Sequence, residues 1–125
     1  MAFIFCNPNP CNKTVGDCVI RAISIAFGIP WINAYTDLCL FGMENCDIPS
    51  SNSLWGAYLR KNGYSQKSLS DDCPYCYTVE QFANEHPQGT FILATGNHAV
   101  CVKNGNWIDS WDSASELVAY YFEKR

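Results

Sequence analysis

Charge is scarce in this chain: Asp, Glu, Lys and Arg make up 16% of its residues, against about a quarter in an average globular domain. Basic residues are scarcer still, eight against twelve acids, and they form no cluster. Nucleic acid is therefore a poor partner. Histidine occurs only twice, so few residues can act as a base near neutral pH. Long apolar runs are absent too, because the most apolar stretch, Val19 to Ile32, is interrupted by Arg21, Ser24, Gly28 and Pro30. The first residues show no basic region ahead of an apolar run, so the sequence predicts a cytoplasmic protein without export signal or membrane association. Repeats, low-complexity tracts and linker composition are missing as well.

What is present is a 48% hydrophobic, 14% aromatic chain of 125 residues. It reads as one domain, residues 1–125, large enough to bury a core and frame a cleft without obligatory disulfides or metal. Eight cysteines in an exported chain would read as a disulfide framework. Without an export signal they point to free thiols, a metal, or chemistry.

A Pro/Asn-rich arm leads to Gly16-Asp17, a turn and N-cap, and then to a helix from Cys18 to Phe27 closed by Gly28. Asp17, Arg21, Ser24 and Gly28 share one stripe of that helix, and the remaining faces are apolar, which predicts burial on most sides. Further helices are expected over Trp31–Leu40 and Ser53–Asn62, separated by a loop from Phe41 to Asn52 and stopped at Gly63. A short strand follows over Tyr64–Leu69. Thr78-Val79-Glu80-Gln81 is a capping box opening another helix. Strands are expected over Thr90–Thr95, His98–Lys103 and Asn106–Trp111, with a last one within Leu117–Phe122; Asn104-Gly105 is a hairpin turn. The order gives an α+β class, N-terminal helices packed on a C-terminal antiparallel sheet.

A cysteine at a helix N-terminus meets unpaired backbone N–H groups and the positive end of the helix dipole, conditions that favour thiolate. Cys18 stands there, with Asp17 beside it and Arg21 four residues on to pair with that carboxylate. Of the two histidines, His86 at a helix end is suited to capping the last carbonyls. His98 opens a strand next to Gly96-Asn97, where an edge position gives its ring access to a cleft. A two-residue turn at Asn104-Gly105 pairs Lys103 with Asn106, Val102 with Trp107, Val100 with Asp109 and His98 with Trp111. Asp109 is then the diagonal neighbour of His98, about 7–8 Å away between backbones and within side-chain reach. Cys18, His98 and Asp109 supply a nucleophile, a base and a carboxylate to orient the base, with Trp111 shielding the contact.

These residues carry a resemblance to the papain-like cysteine peptidases and their small bacterial and phage relatives of the C39 peptidase type. Asn97-His98-Ala99-Val100 followed by Trp107-Ile108-Asp109-Ser110-Trp111 resembles the family's His-Ala-Val strand and its Trp…Asn-Ser-Trp strand, with Asp109 in place of asparagine. Gly16-Asp17-Cys18 is similar to the start of the family's nucleophile helix. Asn12, six residues before Cys18, stands where the family places its oxyanion glutamine. The Cys-Gly-x-Cys-Trp context of secreted papains is absent, and the chain is far shorter. The resemblance implies a papain-like fold and thiol-dependent cleavage or transfer at a peptide, isopeptide or amide bond of a peptide or protein substrate, without a cofactor.

Two other uses of cysteine compete. Cys73-Pro74-Tyr75-Cys76 spells the glutaredoxin active-site tetrapeptide, but it follows Ser70-Asp71-Asp72 rather than a hydrophobic strand, and the two acids oppose a thiolate. The same pair with Cys6 and Cys11 offers four soft ligands for a structural zinc. A catalytically inactive peptide-binding module of the same fold is the third alternative.

Overall fold

The computed structural model describes residues 1–69 and 77–125. Within them, strands β1 (Phe3–Phe5), β2 (Tyr64–Ser68), β3 (Thr90–Ala94), β4 (Ala99–Lys103), β5 (Asn106–Asp109) and β6 (Tyr120–Lys124) form one sheet in the order β1-β5-β4-β3-β6-β2. Helices α1 (Cys18–Phe27), α2 (Trp31–Glu44) and α3 (Asn52–Lys61) precede most of the sheet, and α4 (Val79–Glu85) lies between β2 and β3 in sequence. The class is α+β.

Side chains alternate across β3 and β4, and both faces of these strands are covered. Ile92, Ala94, Ala99 and Cys101 pack with Ile23 of α1, Leu38 of α2 and Leu59 of α3, while Phe91, Leu93, Val100 and Val102 pack with Phe82 of α4 and Trp107 of β5. That double burial explains why the central strands read as near-continuous apolar runs. α1 and α2 are bent by 114° from each other, and among the described residues no single helix is long and apolar enough to cross a membrane.

α1 has the expected bounds, and Gly28 ends it in the left-handed conformation at φ 68°. Asp17 occupies the N-cap position but makes no capping bond; its carboxylate is taken by Arg21 and by Trp31 Nε1. The polar stripe of α1 is not its solvent face either, since Arg21 and Ser24 are buried. The Asn104-Gly105 turn has both residues at positive φ, 52° and 81°, as a type I′ hairpin requires. Lys103–Asn106 and Val102–Trp107 pair in the expected register.

Two expectations are corrected. The sheet is mixed rather than wholly antiparallel, because β1, within the Pro/Asn-rich arm, runs parallel to β5. Three residues carry no legible period; β1 exists because the free edge of β5 receives it, with Ala2 N donating to Asn106 Oδ1 and Cys6 N to the carbonyl of Asp109. α2 continues past Leu40 to Glu44, through Gly42. That glycine is a point of close approach: a Cβ there would lie 2.7 Å from the Asp47 carbonyl oxygen. Gly42→Ala is expected to lower stability by about 1–3 kcal/mol as the Asp47 turn is forced away; a urea midpoint equal to wild type would show that the turn yields freely.

Candidate active site

Cys18 is the first residue of α1, His98 immediately precedes β4, and Asp109 ends β5. The fold brings the three together. Cys18 and His98 line one cavity, where the electrostatics of the thiol are governed by burial, the His98 ring and the main chain of Ala99. His98 Nε2 donates to Asp109 Oδ2 over 2.6 Å, which leaves Nδ1 as the nitrogen for the thiol. The diagonal neighbours of the hairpin have thus closed into a bond, with the His98 side chain 8% exposed and that of Asp109 3%.

Asp109 is held from several directions. Its Oδ2 also accepts from Ser113 Oγ at 2.9 Å, and its Oδ1 accepts from the Ser110 amide at 2.7 Å. Arg21 Nη2 lies 3.6 Å from Oδ1. The Trp111 ring sits 4.7 Å from the His98 ring, tilted by 42°, and shields one side of the imidazole while remaining 45% exposed itself.

Burial pushes the Cys18 thiol up, but hydrogen bonds from His98 and Ala99 and the positive charges of His98 and Arg21 outweigh it. The net result is a thiol below its ordinary value of 9.0. Burial likewise opposes a charged His98, and the bonds and negative charges of Asp109 and Cys18 overcome it, raising the imidazole from 6.5 to about 9. Each of the two groups thus favours the charged form of the other. By contrast, burial pushes Cys101 up to about 12, which leaves an inert core thiol.

A cavity of about 500 Å³ opens at Cys18 and His98. Its walls are largely apolar, from Ile20, Leu38, Trp55 and Tyr120, with Pro49 and Asn52 from the segment after α2. The first helical bond of α1 runs from Arg21 N to Asp17 O, so the amides of Cys18, Val19 and Ile20 precede it at the cavity wall. They are suited to receive a developing oxyanion.

Asn12 is not brought to this site. It is exposed, in the left-handed region at φ 54° in a tight turn with Asn9, and its Oδ1 accepts from Asn7 Nδ2. His86 ends α4 as expected, its Nδ1 bonded to the Phe82 carbonyl and its ring stacked on Phe82. Of the zinc candidates, Cys6 is half-buried and Cys11 exposed, while Cys73 and Cys76 lie outside the described residues. Among the described residues no group of three His, Cys, Asp or Glu side chains is arranged for a metal. Sequence reasoning missed two neighbours of Asp109. Ser113 gave no signal, and Arg21 was legible only as the helical partner of Asp17. No family model, curated protein or solved structure matches the chain.

Proposed function

We propose that the chain is a papain-like cysteine hydrolase or acyl transferase acting on short peptide, isopeptide or carboxamide substrates. The observation that carries this reading is the placement of Cys18 beside His98 in the wall of one cavity, with Asp109 bonded to the far nitrogen of that imidazole. The Cys18 thiolate attacks the carbonyl carbon, and the Cys18 amide receives the oxygen as it gains charge. His98 then gives its proton to the leaving nitrogen, the C–N bond breaks, and a thioester remains on Cys18. Water, deprotonated by His98, attacks the thioester and releases a carboxylic acid and the thiol; an amine in place of water gives transfer.

The reading is tested with the p-nitrophenyl ester of acetyl-phenylalanine, an activated acyl donor whose apolar side chain suits the cavity walls. Mass spectrometry is expected to find an acetyl-phenylalanyl adduct on Cys18 that forms and turns over, with nitrophenolate release falling at least tenfold in Cys18→Ala. Release undiminished by Cys18→Ala, or an adduct that forms first on Cys73, would overturn it.

A further inference from the structure

The three-residue arrangement leaves one charged group unexplained. Arg21 is buried, with 8% of its side chain exposed, between two carboxylates of which only one belongs to its own helix. Nη1 pairs with Asp17 and also reaches the Val15 carbonyl at 3.4 Å; Nη2 faces Asp109 Oδ1. Asp17 in turn accepts from Trp31 Nε1 at 2.9 Å, at the start of α2. Hydrogen bonds and ion pairs therefore link Trp31 through Asp17, Arg21 and Asp109 to His98, which shares the cavity wall with Cys18. Removing such a pair from water costs roughly what its attraction returns, so stability alone is a weak reason for it.

Resting on the hydrolase reading above, we infer that Arg21 is a positioning residue of this site. It fixes the Asp109 carboxylate toward His98 and carries the positive charge that offsets the carboxylate and thiolate packed around it. Oδ2 is engaged by His98 and Ser113 and Oδ1 by the Ser110 amide, and the guanidinium faces Oδ1 as a charge at 3.6 Å. The charged groups facing Arg21 are Asp17 and Cys18 from α1 and, from the hairpin, Asp109 directly and His98 beyond it. From α2 comes only the uncharged indole of Trp31. Lys103 binds the Ile25 carbonyl, toward the far end of α1. The thiolate feels the charge of Arg21, while the carboxylate of Asp17 is turned to Arg21 and Trp31.

The test is iodoacetamide alkylation of Cys18 against pH, read cysteine by cysteine by mass spectrometry. In Arg21→Gln the pH at which Cys18 becomes reactive is expected to rise, and the rate at pH 6 to fall about tenfold, the scale of one nearby charge. Arg21→Lys, which returns the charge without the fork, is expected to recover most of that loss, a rescue that a packing role would not produce. Asp17→Asn with Arg21→Gln replaces the pair by two amides of similar shape and so spares the fold should the single variant not survive. Measured against Asp17→Asn alone, it is expected to show the same upward movement, since that comparison removes only the charge of Arg21. If His98→Ala slows labelling but a folded Arg21→Gln labels at the wild-type rate, or the double variant at the rate of Asp17→Asn, Arg21 has no such role and the hydrolase reading stands. If His98→Ala leaves Cys18 labelling unchanged, the hydrolase reading itself fails, and the role of Arg21 with it.

Discussion

In His98→Ala, the alkylation rate of Cys18 at pH 6 is expected to fall on the order of a hundredfold. An ordinary thiol with a value of 9.0 is ionised to about one part in a thousand at that pH. The imidazolium beside Cys18 favours thiolate at that pH, and the lower basicity of the resulting thiolate offsets part of the gain through reduced nucleophilicity. Loss of His98 moves the rise in reactivity to higher pH. Cys101 should remain unlabelled in both proteins, since it is fully buried. A rate at pH 6 within threefold of wild type would mean that no ion pair forms.

Asp109→Asn should produce the second large effect, through the imidazole. The raised His98 value of about 9 depends on the Asp109 carboxylate as well as on the thiol. Asparagine keeps the shape and its one oxygen can still accept from the Ser110 amide, but an NH2 group then replaces Oδ2 and offers Nε2 neither charge nor acceptor. The His98 midpoint is expected to drop by about two pH units toward 6.5, and acyl transfer at pH 8 to fall roughly tenfold as the imidazolium becomes scarce. With only two histidines in the chain, the ring-proton titration is assigned by comparison with His98→Ala. The linkage sign is fixed by the same shift. A group whose folded value is raised stabilises the fold fully below its unfolded value, so the His98 contribution is complete below pH 6.5 and is lost as pH climbs toward 9. In Asp109→Asn most of that alkaline loss should vanish from a urea-denaturation series; an unchanged slope would place the charge elsewhere.

The parts legible in the sequence were those fixed by local rules. Gly28 in the left-handed region set the end of α1, and the Asn104-Gly105 turn set the register that put Asp109 diagonal to His98. The Thr78–Gln81 capping box is formed by both of its bonds. The parts not legible depend on residues far apart in sequence. β1 has three residues and forms only against the edge of β5. The helix expected to end at Leu40 continues through Gly42, where the Asp47 turn folding back onto α2 requires a glycine. Asp17 was suited to capping, but a buried arginine and an indole compete for its carboxylate and win. Arg21 could not be linked to Asp109 without the approach of α1 to the end of the hairpin.

The parallel seating of β1 beside β5 bears on how the site is born. The helix bearing the thiol is made of local contacts and can form soon after it emerges during synthesis, while the histidine and the carboxylate follow roughly eighty and ninety residues later. The amide of Cys6 ties the arm to the carbonyl of Asp109 itself, so this long-range closure is among the last contacts the growing chain can make. Until α1 and the hairpin meet, Cys18 lacks the imidazole that lowers it in the folded chain, so on the proposed reading the site is complete only once nearly the whole sequence has been made.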